Sequence, residues 1–303
     1  MGDNSFSRLW VKLFNKKNYN NYKYNLNQKK KLNYYNQNID KDIKDISRKL
    51  EHKKSLSFLH SGHLGDIIYS LPLIKELSKN YECNFYLQVN KKMDVKYENH
   101  PSGDVMINQK TAELTLPLLK NQKFINSAKI YQNEEIDIDL DLFRKVPINV
   151  SFHSIRWYSH LTGTPINMLE PFLDVEGHSD FKDKIVIMRS PRYRNQYINY
   201  QFLNNVKNIV CIGLETEYED LKKDIPNLEF YDCKDFLEMA KIIKSSKFFL
   251  GNLCFSYSIA EGLKVPRLLE ACPDFPVVFP IGGEAYDFYH QIHFEKYFKK
   301  LNY

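Results

Sequence analysis

Residues 55–79, "SLSFLHSGHLGDIIYSLPLIKELSK", constrain the fold more than any other stretch. A short apolar run reads as a strand, Gly62 and Gly65 as a turn, and the rest as a helix that Pro72 kinks or begins. A strand turning sharply into a helix is the unit of an open α/β sheet, and the turn lies at its ligand-facing edge. The rhythm then repeats. "CNFYLQV" reads as a strand, and "NQKTAELTLPLLKNQ" as a helix capped by Asn108 or Thr111. "SAKIYQ" and "IDIDLDLF" read as strands, the second alternating strictly, and "SIRWYSHLTG" as a helix closed by Gly163. After "EGHSDFKD" a second series begins. It runs "KIVIMRS", "NIVCIGL", "EYEDLKKDI", "LEFYDC", "DFLEMAKIIKSS", "KFFLGN", "SYSIAEGLKV" and "PRLLEAC", in the order β-β-α-β-α-β-α-β. Alternating strands and helices predict mostly parallel sheets. The expected fold class is therefore α/β. Two Rossmann-like domains, residues 55–180 and 181–303, face each other across a cleft, and the last helix is able to pack back on the first domain.

The first 54 residues differ in kind. "NKKNYNNYKYNLNQKKKLNYYNQN" has few aliphatic side chains, so an extension of low order, dispensable for the fold, is expected. Ahead of it Phe6, Leu9, Trp10, Leu13 and Phe14 fall on one helical face, with Arg8, Lys12, Lys16 and Lys17 adding positive charge. That segment, residues 5–17, reads either as a short helix on the protein's own body or as a weak contact with a membrane surface. The net charge of +6 over 303 residues is mild; it fits an anionic small molecule and does not indicate a nucleic-acid partner. Five widely spaced cysteines without a C-x-x-C pair argue against a zinc site or disulfide framework and for a reducing compartment, so a cytoplasmic location is expected. No apolar run approaches the ~18 residues of a membrane span.

Four places can carry chemistry. In "SGHLGD", Asp66 is either a cap at the start of a helix or a carboxylate presented at the sheet edge. His63 is a loop histidine or a second catalytic group, and Gly65 permits close approach of a ligand. The spacing G-x-x-G is not a dinucleotide fingerprint. In "MRSPRYRN", Arg189, Ser190, Arg192 and Arg194 follow a strand directly. Clustered arginines suit phosphate oxygens, or else pair with the acidic "ETEYED". Gly213 and Glu215 in "CIGLETEYEDL" allow a tight strand exit and a carboxylate for a ribose or base edge; Glu215 equally complements a helix dipole. In "FFLGNLCFSYSIAEGLKVP", Gly251, Asn252 and Ser256 lead from a strand into a helix whose amides suit a diphosphate, and Glu261 lies one turn or so from that edge. Cys254 reads as a buried small residue.

In their order along the chain these motifs resemble the family 9 glycosyltransferases, the ADP-heptose:lipopolysaccharide heptosyltransferase group, from Ser57 to Leu301. "GDIIYSLPLIKEL" is similar to the family's Gly-Asp motif, "RSPRYRN" to its phosphate-binding loop, and "GNLCFSYSIAEGL" stands where the family has Asp-Thr-Gly and a histidine. Asn252 occupies about the place of that aspartate, and no histidine follows. The resemblance implies a GT-B fold, with a nucleotide-sugar in the C-terminal domain and an acceptor in the N-terminal one. It implies an inverting, metal-independent transfer with Asp66 as general base. The donor would be a nucleotide-diphosphate sugar, with no further cofactor. The acceptor would be a glycan or lipid-linked glycan of the surface or envelope, met in the cytoplasm or at the inner membrane face. Two alternatives are a catalytically silent GT-B protein that binds a nucleotide or glycan, and an epimerase of GT-B type.

Overall fold

The computed structural model describes residues 12, 15–93, 100–145, 153–275 and 277–303. The candidate apolar face of Phe6, Leu9, Trp10, Leu13 and Phe14 lies outside them. The Asn/Lys/Tyr tract is helical, which departs from the expected low order. Helix α1 (Lys16–Asn38) starts at Asn15, whose side chain accepts the Asn18 amide, and it buries none of its residues. Helix α2 (Asp40–His52) has Asp40 and Asp42 in its first turn and Lys49 and His52 in its last, matching the helix dipole. Its stripe of Ile39, Ile43, Ile46 and Leu50 packs toward the body; Ile39 and Ile43 share a small hollow with Phe143, Trp157 and Leu161. Lys49 donates to the carbonyls of Ile136 and Asp137. Interspersed charges hid this stripe in the sequence, and only its partners reveal it.

The first sheet grows around β1 (Ser55–His60). Parallel partners β2 (Glu82–Leu87) and β4 (Ile138–Asp139) flank it, and β3 (Ser127–Ile130) adds to β2, in the order β3-β2-β1-β4. Parallel pairing requires crossovers. Helix α3 (Leu64–Leu77) supplies the first, with Pro72 buried inside it and not ending it. Helix α4 (Gln109–Lys120) follows β2 and is capped reciprocally by Asn108 and Thr111. "IDIDLDLF" is a strand for two residues and then a 3₁₀ helix, Leu140–Arg144. The polar alternation there does not mark a solvent face, because Asp137 and Asp141 are both buried. Helix α5 (Ile155–Thr162) ends at Gly163 with φ 69°.

The second sheet comprises β5 (Ile185–Met188), β6 (Ile209–Cys211), β7 (Glu229–Phe230), β8 (Phe248–Asn252), β9 (Arg267–Glu270) and β10 (Ala285–Phe288), all parallel, in the order β10-β9-β8-β5-β6-β7. Apart from Met188, β5, β6 and β8 are buried throughout, as a sheet covered on both faces requires. Helices α6 (Glu215–Lys222), α7 (Phe236–Ser245) and α8 (Phe255–Leu263) belong to this unit. The units meet through helices: α3 packs on α8 and α4 on α7. The last helix, α9 (Gln291–Asn302), does not return to the first domain as allowed for. Phe294 and Phe298 sit in the second unit's own core with Tyr200, Phe202, Phe248 and Phe288. The segment that does cross back is 277–279, whose carbonyls at Val277 and Phe279 bond to Ser154 and His153.

Candidate active site

Each sheet reverses its strand order once, at β1/β4 and at β5/β8. Open α/β sheets bind ligands outside the strand ends at that point. Of the residues singled out from the sequence, His63, Gly65 and Asp66 follow β1, and Arg189, Ser190, Arg192, Arg194, Gly251 and Asn252 follow β5 or end β8.

On the N-terminal side β1 ends at His60. Gly62 follows with φ 102°, and a Cβ there would lie 2.8 Å from the Ile107 side chain, so only glycine fits. His63 is the N-cap of α3 without a side-chain capping bond. Asp66 sits in the first turn, but the cap reading does not describe its carboxylate. That group, 19% exposed, accepts from Arg144 Nη2 at 2.6 Å. Arg144 also donates to the Gly62 carbonyl and reaches Asp141 at 3.4 Å. Asp141 in turn accepts from the Ser61 amide and hydroxyl and from Lys91 Nζ at 3.0 Å. Burial alone would raise the Asp141 carboxyl. The charges of a protonated His60, Arg144 and Lys91, with the Ser61 hydroxyl, overturn that and hold it down at about 2. The neighbouring His60 is fully buried, which lowers it to about 4. Although His60 Nδ1 lies 3.4 Å from Asp141, its ring is therefore neutral at pH 7. Nδ1 accepts the Gly62 amide, which places the proton on Nε2, directed at Tyr158 Oη 2.9 Å away.

His63 lies half-buried between the domains, its ring 5.7 Å from that of His100. Burial lowers its pKa; Asp66 opposes the shift and Arg144 and Arg192 add to it. Burial, Arg192 and His63 lower His100 to about 4. The charge of Arg192, from the second domain, thus acts on two histidines of the first. Gly65 faces the same contact, since a Cβ there would lie 3.9 Å from Ser258 Oγ of α8.

The arginine loop on the C-terminal side divides. Arg189 does not face open space. Its Nε and Nη2 grip the buried Glu270 at 2.7 and 2.9 Å, and its guanidinium lies over the Tyr200 ring. Glu270 also accepts from the Asn195 amide and the Tyr200 hydroxyl. Arg194 pairs with Asp220 at 2.5 Å and donates to the carbonyls of Arg189 and Ser190. Both guanidinium groups are committed to carboxylates; Asp220 belongs to the acidic stretch 215–220 named as an alternative partner, whereas Glu270 does not. Arg192 stays half-buried toward the first domain. Asn252 is fully buried; its Oδ1 accepts the Ser190 amide and its Nδ2 donates to the carbonyls of Ser190 and Arg192. It is the brace of the loop.

The remaining candidates have structural partners. A Cβ on Gly251 would come 2.7 Å from the Met188 carbonyl, so this glycine lets β8 approach β5. Ser256 is buried and donates to Met188 Sδ. Glu261 does not reach the ligand edge: it is fully buried and paired with Arg267 at 2.6 Å and Lys264 at 2.5 Å. A Cβ on Gly213 would meet the Glu217 carboxylate, which accepts the Leu214 amide. Glu215 is exposed at the start of α6 and lines an open hollow with Pro191, Arg194, Thr216, Glu219, Asp220 and Lys223. Burial raises the Cys254 thiol to about 12, as fits an inert residue. Asp141, Arg144, Lys91, His60, His100 and Glu270 escaped the sequence reading. Asp141 was hidden in the alternation of "IDIDLDLF", and the others sit in no motif. Among the described residues no group of three or more His, Cys, Asp or Glu could hold a metal ion, and no helix is long and apolar enough to cross a membrane.

Two parallel-stranded Rossmann-like units with opposed switch points define the GT-B architecture. No family model matches the sequence, and no curated protein matches it. Solved structures do match. E. coli ADP-heptose LPS heptosyltransferase II aligns with a TM-score of 0.54 at 11% identity, over 82% of this chain and 98% of that chain. E. coli heptosyltransferase WaaC with ADP aligns with a TM-score of 0.50 at 10% identity, over 82% and 100%. The likeness is one of fold: this chain has the GT-B fold of the family 9 heptosyltransferases.

Proposed function

We propose that the protein transfers a sugar from a nucleoside-diphosphate donor to a hydroxyl of a glycan or lipid-linked glycan. The observation that carries this reading is the place of His63 beside the N-terminal switch point, where the charges of Asp66 from its own domain and Arg192 from the other both act on it. In the proposed step the acceptor oxygen forms a bond to the anomeric carbon while the bond from that carbon to the diphosphate breaks. The proton from the acceptor hydroxyl passes to the Asp66 carboxylate, and the diphosphate leaves with the bonding electrons. Attack from the face opposite the leaving group inverts the anomeric centre. A positioned carboxylate contributes roughly 10²–10⁴-fold to such a transfer. Arg192 would receive the negative charge that develops on the leaving group. Arg144 holds the Asp66 carboxylate in place and must share it with the incoming hydroxyl.

The grip of Arg144 on Asp66 and the commitment of Arg189 and Arg194 favour one second reading, a GT-B protein that binds a nucleotide or glycan without transfer. Calorimetric titration with a panel of nucleoside diphosphates, run beside a donor-consumption assay on the matching sugars, separates the two. Transfer predicts binding and turnover in the native protein. For Asp66→Asn it predicts unchanged nucleotide affinity with turnover reduced by at least ~10²-fold. Binding without turnover in the native protein establishes the second reading, and equal turnover by the variant removes Asp66 from the mechanism.

A further inference from the structure

We propose that α1 is an electrostatic docking helix for an anionic lipid surface, a role separate from the cleft and from any donor. Residues 1–38 hold eight of the chain's 43 Lys and Arg but one of its 37 Asp and Glu; the rest of the chain carries 35 against 36 and is close to neutral. The whole positive balance of the protein thus resides in its N-terminal 38 residues. Six of the eight cations, Lys16, Lys17, Lys23, Lys29, Lys30 and Lys31, stand on α1, which contains no acidic residue. Lys16, Lys23 and Lys30 recur every seven residues, two helical turns, and form one stripe, with Lys17 and Lys31 beside it. Like charges so arranged repel along a helix and are relieved by an external anion.

The helix is presented outward. None of its residues is buried, while its C-terminal end is fixed where Tyr35 and Ile39 border Phe143 and Trp157. A rigid footing therefore carries an exposed basic arm.

The neighbouring chemistry selects a bilayer over a nucleic acid. Tyr24 and Tyr34 are 63% and 42% exposed, and tyrosine rings partition into the interface between headgroups and water. The sequence just ahead carries Phe6, Leu9, Trp10, Leu13 and Phe14, apolar payload that a phosphate backbone does not need and a headgroup layer accepts. Clustered lysines add attraction to an anionic leaflet that decays over about a Debye length, about 10 Å at 0.1 M salt.

The test is co-sedimentation of the full chain with vesicles of phosphatidylcholine alone or mixed with phosphatidylglycerol, at about 0.05 M and about 0.5 M salt. The expected result is capture by the anionic vesicles at low salt, release at high salt, and none by the neutral ones. The triple variant Lys16→Gln, Lys23→Gln, Lys30→Gln should partition at least about tenfold less, while the same three positions as Arg should bind as the native chain does. Its melting temperature should match the native value, since these lysines are exposed. Equal partitioning of the glutamine variant, equal capture by neutral vesicles, or tighter binding to a single-stranded RNA at the same salt would each overturn the proposal, the last by giving the helix a nucleic-acid partner.

Discussion

The two switch points are built on the same plan and end differently. Each has a buried carboxylate at its base, Asp141 beside β1 and Glu270 at the end of β9; Asp141 gathers Lys91 and Arg144, Glu270 gathers Arg189, and each also takes backbone and hydroxyl donors. On the N-terminal side the gathered arginine continues outward: Arg144 touches Asp141 with one atom and Asp66 with another, so a buried charge props up a half-buried one. On the C-terminal side the chain of contacts closes inward. Glu270 takes Arg189, Asp220 takes Arg194, and Asn252 ties down the backbone of residues 190–192. A cluster of three arginines thus becomes a braced loop in which two pair with carboxylates and the charge of the third, Arg192, acts on His63 and His100 of the first domain. Counting charges in a motif overstates the charge offered to a ligand, because buried charges must first be paired.

The largest expected effect tests this inward closure. Glu270→Ala leaves Arg189 and Tyr200 without their acceptor in a buried place, and breaking such a pair costs roughly 3–5 kcal/mol. Thermal unfolding should show a large loss for Glu270→Ala and for Arg189→Ala, and clearly less than their sum for the double variant. Additive losses would mean that the pair does not act as a unit.

A second effect comes from the histidines. His60 and His153 are buried with pKa values lowered to about 4. In an unfolded chain an imidazole ionises near ~6.5, so between the two values the unfolded state binds protons that the native state refuses. Stability must therefore fall as pH drops through 6.5 and keep falling until about 4, by at most roughly 3 kcal/mol for each imidazole. The Asp141 contribution runs in the same direction but lower: it is present above the ordinary carboxylate value and lost as pH falls toward 2. Denaturant unfolding at several pH values would check this, and a flat profile between pH 7 and 4.5 would refute the neutral His60.

A smaller effect sharpens the contrast within the arginine loop. Arg192→Ala should weaken nucleoside-diphosphate binding about tenfold, with nucleoside binding and melting temperature little changed. If it costs as much stability as Arg189→Ala, the division of the loop is mistaken. The smallest effect concerns α1. Removing residues 1–33 should barely move the melting temperature, because α1 buries nothing, whereas extending the deletion through residue 52 removes Ile39 and Ile46 from the core and should cost several kcal/mol, at roughly 1.5–3 kcal/mol for each buried aliphatic side chain.

The alternation of strands and helices, the Gly-Asp turn and the start of each unit were readable because they are local: a strand period of two, a helix period of 3.6 and a glycine at a turn leave their mark within a few residues. Asp66 could be placed at the sheet edge for the same reason. Its partner could not. Arg144 stands 78 residues away, Glu270 lies 81 residues from Arg189, and Asn252 lies 62 from Ser190. The packing of α2 was missed likewise, because Ile39 and Ile43 acquire meaning only beside Phe143 and Trp157. By itself, then, the sequence determined the α/β class and most of the succession from β1 to β9, and it placed Asp66 in a strand-to-helix turn. The tertiary structure decided which charges pair with which carboxylates. An ion pair is set by distance in space and by burial, and the linear order of residues encodes neither.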